Sequence, residues 1–249
     1  MHAISLTAQA IKISHALELL ETQTLSGLYA YLANLEKQAA ENKSRAVKTL
    51  VKMPEFVLAR TMTSSLIAKK IEHPKINKVF DIIKSEFSTN KNAKIIIFSQ
   101  FRETASKIKE KLSELSAIKP SLFIGQAKKS SSAGLSQKEQ KQIIQEFRDG
   151  SINVLCATSI GEEGLDIPEV SAVIFYEPIP SAIRKIQRAG RTARLSSGKL
   201  IVLITEDTRD EIHHYISSAR ERKMHKTIEL IKEEIRLKPK TLDNFHLNQ

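Results

Sequence analysis

The sequence predicts an α/β fold in which a parallel β-sheet is flanked by helices and preceded by an all-helical domain. From position 73 onwards, short runs rich in Ile, Val and Leu alternate with amphipathic helical segments. This alternation is typical of strands that are buried on both faces of a parallel sheet. Before position 73, apolar residues recur at spacings of three and four, which is typical of helices. A chain of 249 residues is long enough for both units.

The first unit, residues 1–72, is predicted to be helical throughout. The polar stretch 36–44 predicts a turn between two helices. Pro54 predicts a break in the second helical pattern, because proline cannot donate an interior helix hydrogen bond. We expect the apolar stripes to form a core, and a coiled-coil partner is the alternative. The stripes contain Ile13, Leu17, Leu20, Leu28, Leu32, Leu35, Val47, Leu50, Val51, Leu58, Met62, Leu66 and Ile67.

The second unit, residues 73–206, contains the five apolar runs expected to be strands. Helices are predicted between them, and Ser136 with Glu139 three residues later forms a capping-box pattern. A last helix is expected within residues 207–237, starting near 208, and a flexible tail follows at 238–249. The predicted strands are 94–98, 120–124, 152–156, 171–175 and 199–204, and the predicted helices are 75–87, 102–115, 136–148, 181–190 and 208–236.

The composition indicates a basic protein of a reducing compartment. Lys and Arg total 39 against 28 acidic residues, which gives a net charge of +11, and residues 73–206 contribute +7 of it. A polyanionic partner is one explanation and a solvated basic surface is the other. Cys156 has no cysteine with which to pair. No apolar run approaches the roughly 20 residues of a membrane span. We therefore expect a soluble cytoplasmic protein without a membrane partner.

Three segments that follow predicted strands carry most of the chemical information. They are 98–105, 157–169 and 186–194, and ligands bind at the carboxyl ends of strands in folds of this kind. In the last segment arginines recur every three residues, so their guanidinium groups crowd together unless an anion lies between them. A phosphate-binding site is therefore predicted there, and a solvated basic helix is the alternative. These arginines are Arg188, Arg191 and Arg194.

The segment 157–169 also suits a phosphate. Residues Ser159 to Gly164 follow a strand and offer backbone N–H groups at a helix start. Asp166 could accept a hydrogen bond from a ribose hydroxyl or orient an arginine, whereas a structural aspartate that caps a turn is the alternative. The polar loop 125–134 is either a plain connector or a further phosphate contact.

Together these segments resemble motifs four, five and six of superfamily-two helicases. The strings FSQ, ATSIGEEGLDIPE and QRAGRTAR are closest to the archaeal Hef and Fanconi-anaemia M-type translocases, over about residues 73–206. The resemblance implies a second RecA-like domain, with the preceding helices as the inserted helical domain that grips branched or duplex nucleic acid. RNA-sensing helicases and Dicer are similar in architecture, so a double-stranded-RNA helicase is the runner-up, and a non-catalytic nucleic-acid-binding module is the third alternative.

The resemblance also implies roles for particular residues. ATP and Mg²⁺ would be held mainly by a first RecA-like domain, and this half would supply arginine fingers at Arg191 and Arg194. Gln187 would lie near the γ-phosphate, and Gly164 and Asp166 would complete the nucleotide site. One nucleic-acid strand, from forked or branched DNA, would be held by Ser99, Gln100, Arg102, Gly125, Gln126, Thr158 and Ser159.

Some helicase features are missing from the sequence. None of the eight glycines belongs to a GxxxxGK[ST] motif, so the chain alone is predicted to be inactive as an ATPase. The string Asp210-Glu211-Ile212-His213 looks like a Walker B motif but follows the arginine motif, so we interpret it as a coincidence. No pair of His or Cys has supported ligand spacing, and no metal site is expected.

The tail contains the string TLDNF, which resembles archaeal sliding-clamp-binding peptides. Leu242 and Phe245 would fill one hydrophobic pocket of the clamp. Pro239 stands at the usual Gln position and His246 at the second aromatic position, so a weakened interaction is expected. A disordered end is the alternative.

Overall fold

The computed structural model describes residues 2–126, 134–158, 168–179 and 198–237. Helices fill the first part of the chain, and strands alternate with helices after it, as predicted. The helices are α1 (His2–Thr22), α2 (Leu25–Ala40), α3 (Arg45–Leu50), α4 (Pro54–Ala68), α5 (Pro74–Thr89), α6 (Arg102–Leu112), α7 (Gln137–Asp149) and α8 (Arg209–Leu237). The strands are β1 (Ile95–Phe98), β2 (Pro120–Phe123), β3 (Val154–Ala157), β4 (Ala172–Phe175) and β5 (Lys199–Val202).

All five strands form one parallel sheet in the order β2-β3-β1-β4-β5. The strand β1 lies at the centre, where Phe98 is level with Ala157 of β3 and with Phe175 of β4. Phe123 of β2 is level with the same Ala157. The carboxyl ends of these four strands therefore lie side by side at one edge of the sheet. The predicted α/β class is confirmed.

Each face of the sheet is covered by helices, because alternate residues of a strand point to opposite faces. On β1, Ile95 and Ile97 pack against the apolar side of α5 and α6, whereas Ile96 and Phe98 pack against α7. Both sets are buried. Strands that are buried on both faces have no polar alternation, which is why they appear in the sequence as continuous apolar runs.

The helices α1 to α4 form a bundle with its own core. Thr24 and Ser44 cap α2 and α3 with their side chains, and Pro54 stands at the first turn of α4, where a missing N–H costs nothing. The prediction of a break at Pro54 is confirmed. The core of the bundle consists of Leu19, Leu28, Leu32, Leu35, Val47, Leu50 and Phe56.

Five of the thirteen residues in the predicted core stripes of the bundle are exposed. Ile13, Leu17 and Leu20 are 53%, 46% and 48% exposed. The helix α1 contacts α2 through the side that carries Ala16 and Leu19, so the stripe one residue further along points away from the bundle. On α4, Leu58 and Met62 are exposed for the same reason, because Phe56 is the residue that faces the core.

The ends of the helices depart from the prediction by a few residues. The helix α2 continues to Ala40, so the turn that was predicted from residue 36 begins later, and α6 ends at Leu112 rather than at 115. The capping box of Ser136 and Glu139 is confirmed at the start of α7. The helix predicted over 181–190 falls outside the described residues. No helix in the described part of the chain is long and apolar enough to cross a membrane.

Candidate nucleic-acid interface

The carboxyl edge of the sheet brings together the described residues of the predicted nucleic-acid site. The backbone N–H of Ser99 donates to Ala157 at 2.9 Å, and that of Thr158 donates to Phe123 at 3.0 Å, so the strand pairing continues one residue past β1 and β3. Six predicted residues lie along this edge and the loops that leave it. They are Ser99, Gln100, Arg102, Gly125, Gln126 and Thr158.

Of these six residues, only Gln100 and Gln126 are exposed. Ser99 is fully buried, and its Oγ accepts a hydrogen bond from the backbone N–H of Phe101 at 3.3 Å. Thr158 is 5% exposed. The described surface that a nucleic acid can reach at this edge is therefore formed mainly by the two glutamines. The predicted roles of the other four in nucleic-acid binding stay predictions.

Arg102 is buried at the start of α6 and holds the loop after β2. Its Nη2 donates to the carbonyl oxygen of Gly125 at 2.9 Å, and the N–H of Leu135 donates to the same oxygen at 3.2 Å. A Cβ atom at position 134 would overlap the carbonyl oxygens of Gly125 and Gln126, so only Gly134 permits this approach. The arginine and the glycine together fix the backbone on which Gln126 stands.

Glu177, which lies two residues after the end of β4, organises the end of β1. Its Oε1 accepts a short hydrogen bond from the backbone N–H of Gln100, and its Oε2 lies 3.5 Å from Ser99 Oγ. The carboxylate is 7% exposed. Because a buried carboxylate must be hydrogen-bonded to be tolerated, the two backbone segments are held together at this point.

Gln23 joins the helical bundle to this carboxylate. Its Nε2 donates to Glu177 Oε2 at 3.3 Å, and its Oε1 accepts from Thr104 Oγ1 at 2.9 Å. Gln23 is 2% exposed and Thr104 is fully buried. The junction between α1 and α2 is thus bonded to β4 and α6 through buried polar groups. This linkage gives the bundle a defined position beside the sheet edge.

A second buried linkage lies where α5 and α8 begin. Lys75 Nζ forms an ion pair with Asp210 and donates to the carbonyl oxygen of Thr22 at 3.2 Å. Burial lowers the pKa of Lys75, and the negative charge of Asp210 opposes that change. Asp210 is the first residue of the DEIH string. Its carboxylate serves the ion pair and the N–H of Thr205 at 3.0 Å, which gives that residue a structural role.

His73, the residue before α5, is held in one tautomer. Its Nε2 faces the carbonyl oxygen of Glu21 at 2.9 Å and must donate, whereas its Nδ1 faces the N–H of Lys75 at 3.3 Å and must accept. Burial lowers the pKa of His73 below its ordinary 6.5, although the hydrogen bond to Glu21 opposes this change. At neutral pH the histidine is therefore neutral, and it caps α5.

The predicted nucleotide residues lie outside the described part of the chain. They are Gly164, Asp166, Gln187, Arg191 and Arg194, together with Ser159 of the nucleic-acid set and Arg188. Within residues 2–126, 134–158, 168–179 and 198–237, no group of three or more His, Cys, Asp and Glu residues could hold a metal ion.

Sequence reasoning missed Glu177, Gln23 and Lys75. Glu177 had a usable signal, since a charged residue two positions after a buried strand lies near the ligand-binding edge of the sheet. Gln23 and Lys75 had none, because their partners Glu177 and Asp210 are 154 and 135 residues away in the sequence. Contacts of that range depend on how the bundle is placed against the sheet.

Two family profiles match this chain and meet at the start of α5. Residues 2–73 match a family described as "Putative ATP-dependent RNA helicase, helical bundle". Residues 74–196 match a family described as "Helicase conserved C-terminal domain". The two matches follow the division between the bundle and the sheet.

Individual helicases and their relatives also match this chain over most of its length. The crystal structure of the Hef helicase domain of Pyrococcus furiosus is 45% identical, with a TM-score of 0.65, over 84% of this chain and 42% of that one. A "Putative ATP-dependent RNA helicase" of Methanocaldococcus jannaschii is 41% identical over 90% of this chain. The Fanconi anemia group M protein homolog of Mus musculus is 31% identical over 92% of this chain. The chain spans 28% and 13% of the length of these last two proteins.

Proposed function

Because the chain belongs to the superfamily-two helicases of the Hef and Fanconi-anaemia M type, as their C-terminal domain with its helical bundle, we propose that it completes a DNA translocase for forked or branched DNA. The observation that carries the proposal is the row of predicted contact residues at the carboxyl edge of β1, β2 and β3. A polar edge of this kind, with Gln100 and Gln126 exposed, suits the sugar-phosphate backbone of a strand.

The ATPase site would form between this chain and a first RecA-like domain. That domain would supply the P-loop and hold ATP and Mg²⁺. Hydrolysis of the ATP would provide the free energy for movement along the strand. In this chain Gly164, Asp166 and Gln187 would complete the nucleotide site, and Arg191 and Arg194 would act as arginine fingers. None of the glycines of the chain belongs to a GxxxxGK[ST] motif, so we propose that the chain alone is inactive as an ATPase.

The helical bundle would grip the duplex beside the tracked strand. Gln23 supports this role, because it ties the α1–α2 junction to Glu177 and so to the backbone of Gln100. A duplex held by the bundle and a strand held by the sheet edge would then keep a fixed distance during each step. Such an arrangement is useful at a fork, where duplex and single strand meet.

DNA is favoured over RNA by the proteins to which the chain is similar. A Schizosaccharomyces pombe relative described as a "Putative ATP-dependent DNA helicase" and a Neurospora crassa relative described as an "ATP-dependent DNA helicase" support DNA. The profile of the helical bundle and the M. jannaschii relative carry the words RNA helicase instead. Double-stranded RNA is therefore the second candidate substrate.

An ATPase assay separates the two substrates. The chain is combined with a first RecA-like domain of the same family, and hydrolysis is measured with forked DNA, linear duplex DNA or duplex RNA as the stimulant. We expect forked DNA to stimulate most. Stimulation by RNA alone would replace DNA with RNA as the substrate, and no stimulation by any nucleic acid would leave a non-catalytic binding module.

A sliding clamp is the proposed partner of the tail. Leu242 and Phe245, outside the described residues, would enter one apolar pocket of the clamp, and a tether of this kind raises the local concentration of the enzyme at forks. Calorimetry of the 237–249 peptide against the clamp should show weak binding that a Leu242→Ala/Phe245→Ala peptide loses. Absence of heat from both peptides would contradict the proposal.

A further inference from the structure

A cavity lies between the helical bundle and the sheet domain, beside the end of β1. Its volume is about 440 Å³, which is within the usual range for small-molecule sites. One wall is the side of α2 that carries Gly27, Ala30 and Asn34, and the opposite wall is the connection from β1 to α6. The site residues described above do not fill this space.

Three rings converge on the cavity. The rings of His15 and Tyr31 meet edge to face with centroids 4.7 Å apart, and those of His15 and Phe101 lie 5.9 Å apart. Phe101 and Tyr31 pack against the core of the bundle, yet all three residues remain partly exposed. Aromatic rings with exposed surface offer a platform on which a flat aromatic ligand can stack.

The backbone of α2 leaves room in front of these rings. Gly27 and Ala30 stand three residues apart on the wall of the cavity, so no long side chain from that wall covers the rings. The residues that line the cavity also include Asn34, Lys37 and Glu103. Amide and carboxylate groups are suited to the donor and acceptor groups at the edge of a nucleobase.

The position of Phe101 indicates that the ligand of the cavity is part of the nucleic-acid strand. Phe101 directly follows Gln100, whose exposed side chain lies at the edge proposed to hold the strand. Its backbone is fixed there, because the N–H of Phe101 is bonded to Ser99 and that of Gln100 to Glu177. A strand whose backbone crosses Gln100 would therefore pass close to Phe101, which lines the cavity.

We infer that the cavity lined by His15, Tyr31 and Phe101 binds one unpaired nucleobase of the strand held at the sheet edge. The inference rests on the proposed function, since it requires a bound strand. A paired base cannot enter, because its faces are covered by neighbours and its edge by its partner. The site would therefore favour single-stranded over duplex nucleic acid at the fork. The bundle would then bind the single strand as well as the duplex.

The test compares two single-stranded decamers that carry the same phosphates. One is a thymidine DNA decamer and the other is an abasic decamer, and fluorescence anisotropy measures the affinity of the full chain for each. We expect the wild-type chain to prefer the thymidine decamer by about tenfold or more, which is what stacking of one base contributes. Base preference here means the ratio of the two dissociation constants.

Two variants remove the site in different ways. Tyr31→Leu removes a ring, and Ala30→Leu fills the cavity from a helical position without removing any core side chain, so it guards against loss of folding in the first variant. Both should reduce the base preference to about one. The matched control is Tyr29→Leu, since Tyr29 lies two residues away on α2 and stacks on Arg60 at 3.5 Å instead of lining the cavity. The control should keep the preference.

The outcomes distinguish this site from the proposed function. Equal affinity of the wild-type chain for both decamers would overturn the base site and leave phosphate binding in place. A base preference that persists in Ala30→Leu would also overturn it. If the wild-type chain bound neither decamer, the nucleic-acid role itself would fail and the base site with it.

Discussion

Lys75 at the start of α5 and Asp210 at the start of α8 form a buried ion pair across 135 residues of sequence. Their side chains are 6% and 2% exposed. Asp210 also accepts from the N–H of Thr205, so the pair determines where the chain turns from β5 into α8. Lys75 in turn reaches the end of α1 through Thr22. Three parts of the molecule therefore depend on one pair of charges.

Removal of one partner should be far more costly than removal of both. Asp210→Ala leaves the charge of Lys75 buried without a partner, and we expect it to lower the free energy of unfolding by about 3–5 kcal/mol. The double variant Lys75→Met/Asp210→Leu should be close to wild type, because it buries no charge. Urea unfolding measures both. Equal losses in the single and double variants would contradict a charge-based explanation.

His73 should make stability depend on pH in the mildly acidic range. Its folded-state pKa is lower than the ordinary 6.5, so below about that pH the unfolded chain binds a proton that the folded chain does not. The stability that the neutral ring contributes is fully present above pH 6.5 and is lost as the pH falls through the folded pKa. His73→Asn, which can still cap α5, should lose less stability between about pH 7 and pH 5.

The control for this experiment is His225→Asn, which changes an exposed histidine on α8. Its unfolding midpoint should fall with pH as in the wild type. A His73→Asn chain with the same pH dependence as the wild type would show that other groups cause the effect.

Gly134→Ala should disturb the edge of the sheet specifically. The added Cβ would overlap the carbonyl oxygens of Gly125 and Gln126, so that loop must move away from Arg102. We expect a loss of about 1–3 kcal/mol, as for other overpacked positions, and weaker binding of single-stranded DNA. Anisotropy titration and urea unfolding measure the two effects.

Gly150→Ala is the matched control for Gly134→Ala. Gly150 ends α7 at a φ of 84° and has nothing near its missing side chain, so alanine there should cost about 1 kcal/mol through backbone strain alone. Its DNA affinity should equal that of the wild type. If both variants weakened binding equally, the close approach at Gly134 would have no particular role.

The arginine fingers are tested in the assembled enzyme. With a first RecA-like domain present, Arg191→Ala or Arg194→Ala should lower ATP hydrolysis by about 10³-fold, and lysine should not restore it because it lacks the planar fork. Anisotropy titration should show that DNA binding by each variant is nearly unchanged. A variant with wild-type turnover would show that its arginine has another role.

The sheet was predictable because its strands are buried on both faces. Runs such as 94–98 need no partner information, since continuous apolar residues of that length fit few other environments. The bundle was predictable as helices but not in its packing. Leu17 and Leu19 look alike in the sequence, and only the placement of α1 against α2 makes one exposed and the other buried.

The candidate site follows the same division. Gln100 and Gln126 were identified through the resemblance to superfamily-two helicases, and both lie shortly after a strand, near one edge of the sheet. Glu177 and Gln23 were not, because their hydrogen bond joins the sheet to the bundle. The cavity beside Phe101 was also beyond sequence reasoning, since its walls come from α1, α2 and the β1–α6 connection.

Cys156 makes the chain its own reporter of unfolding. It is the single cysteine, it lies on β3 between two other strands, and burial raises the pKa of its thiol to about 12. A reagent that reacts with cysteine thiolates should therefore modify the folded protein only when the sheet opens. The rate of labelling would measure that opening. A cysteine introduced at an exposed position would react first, so dyes can be attached at a chosen site without removing the native thiol.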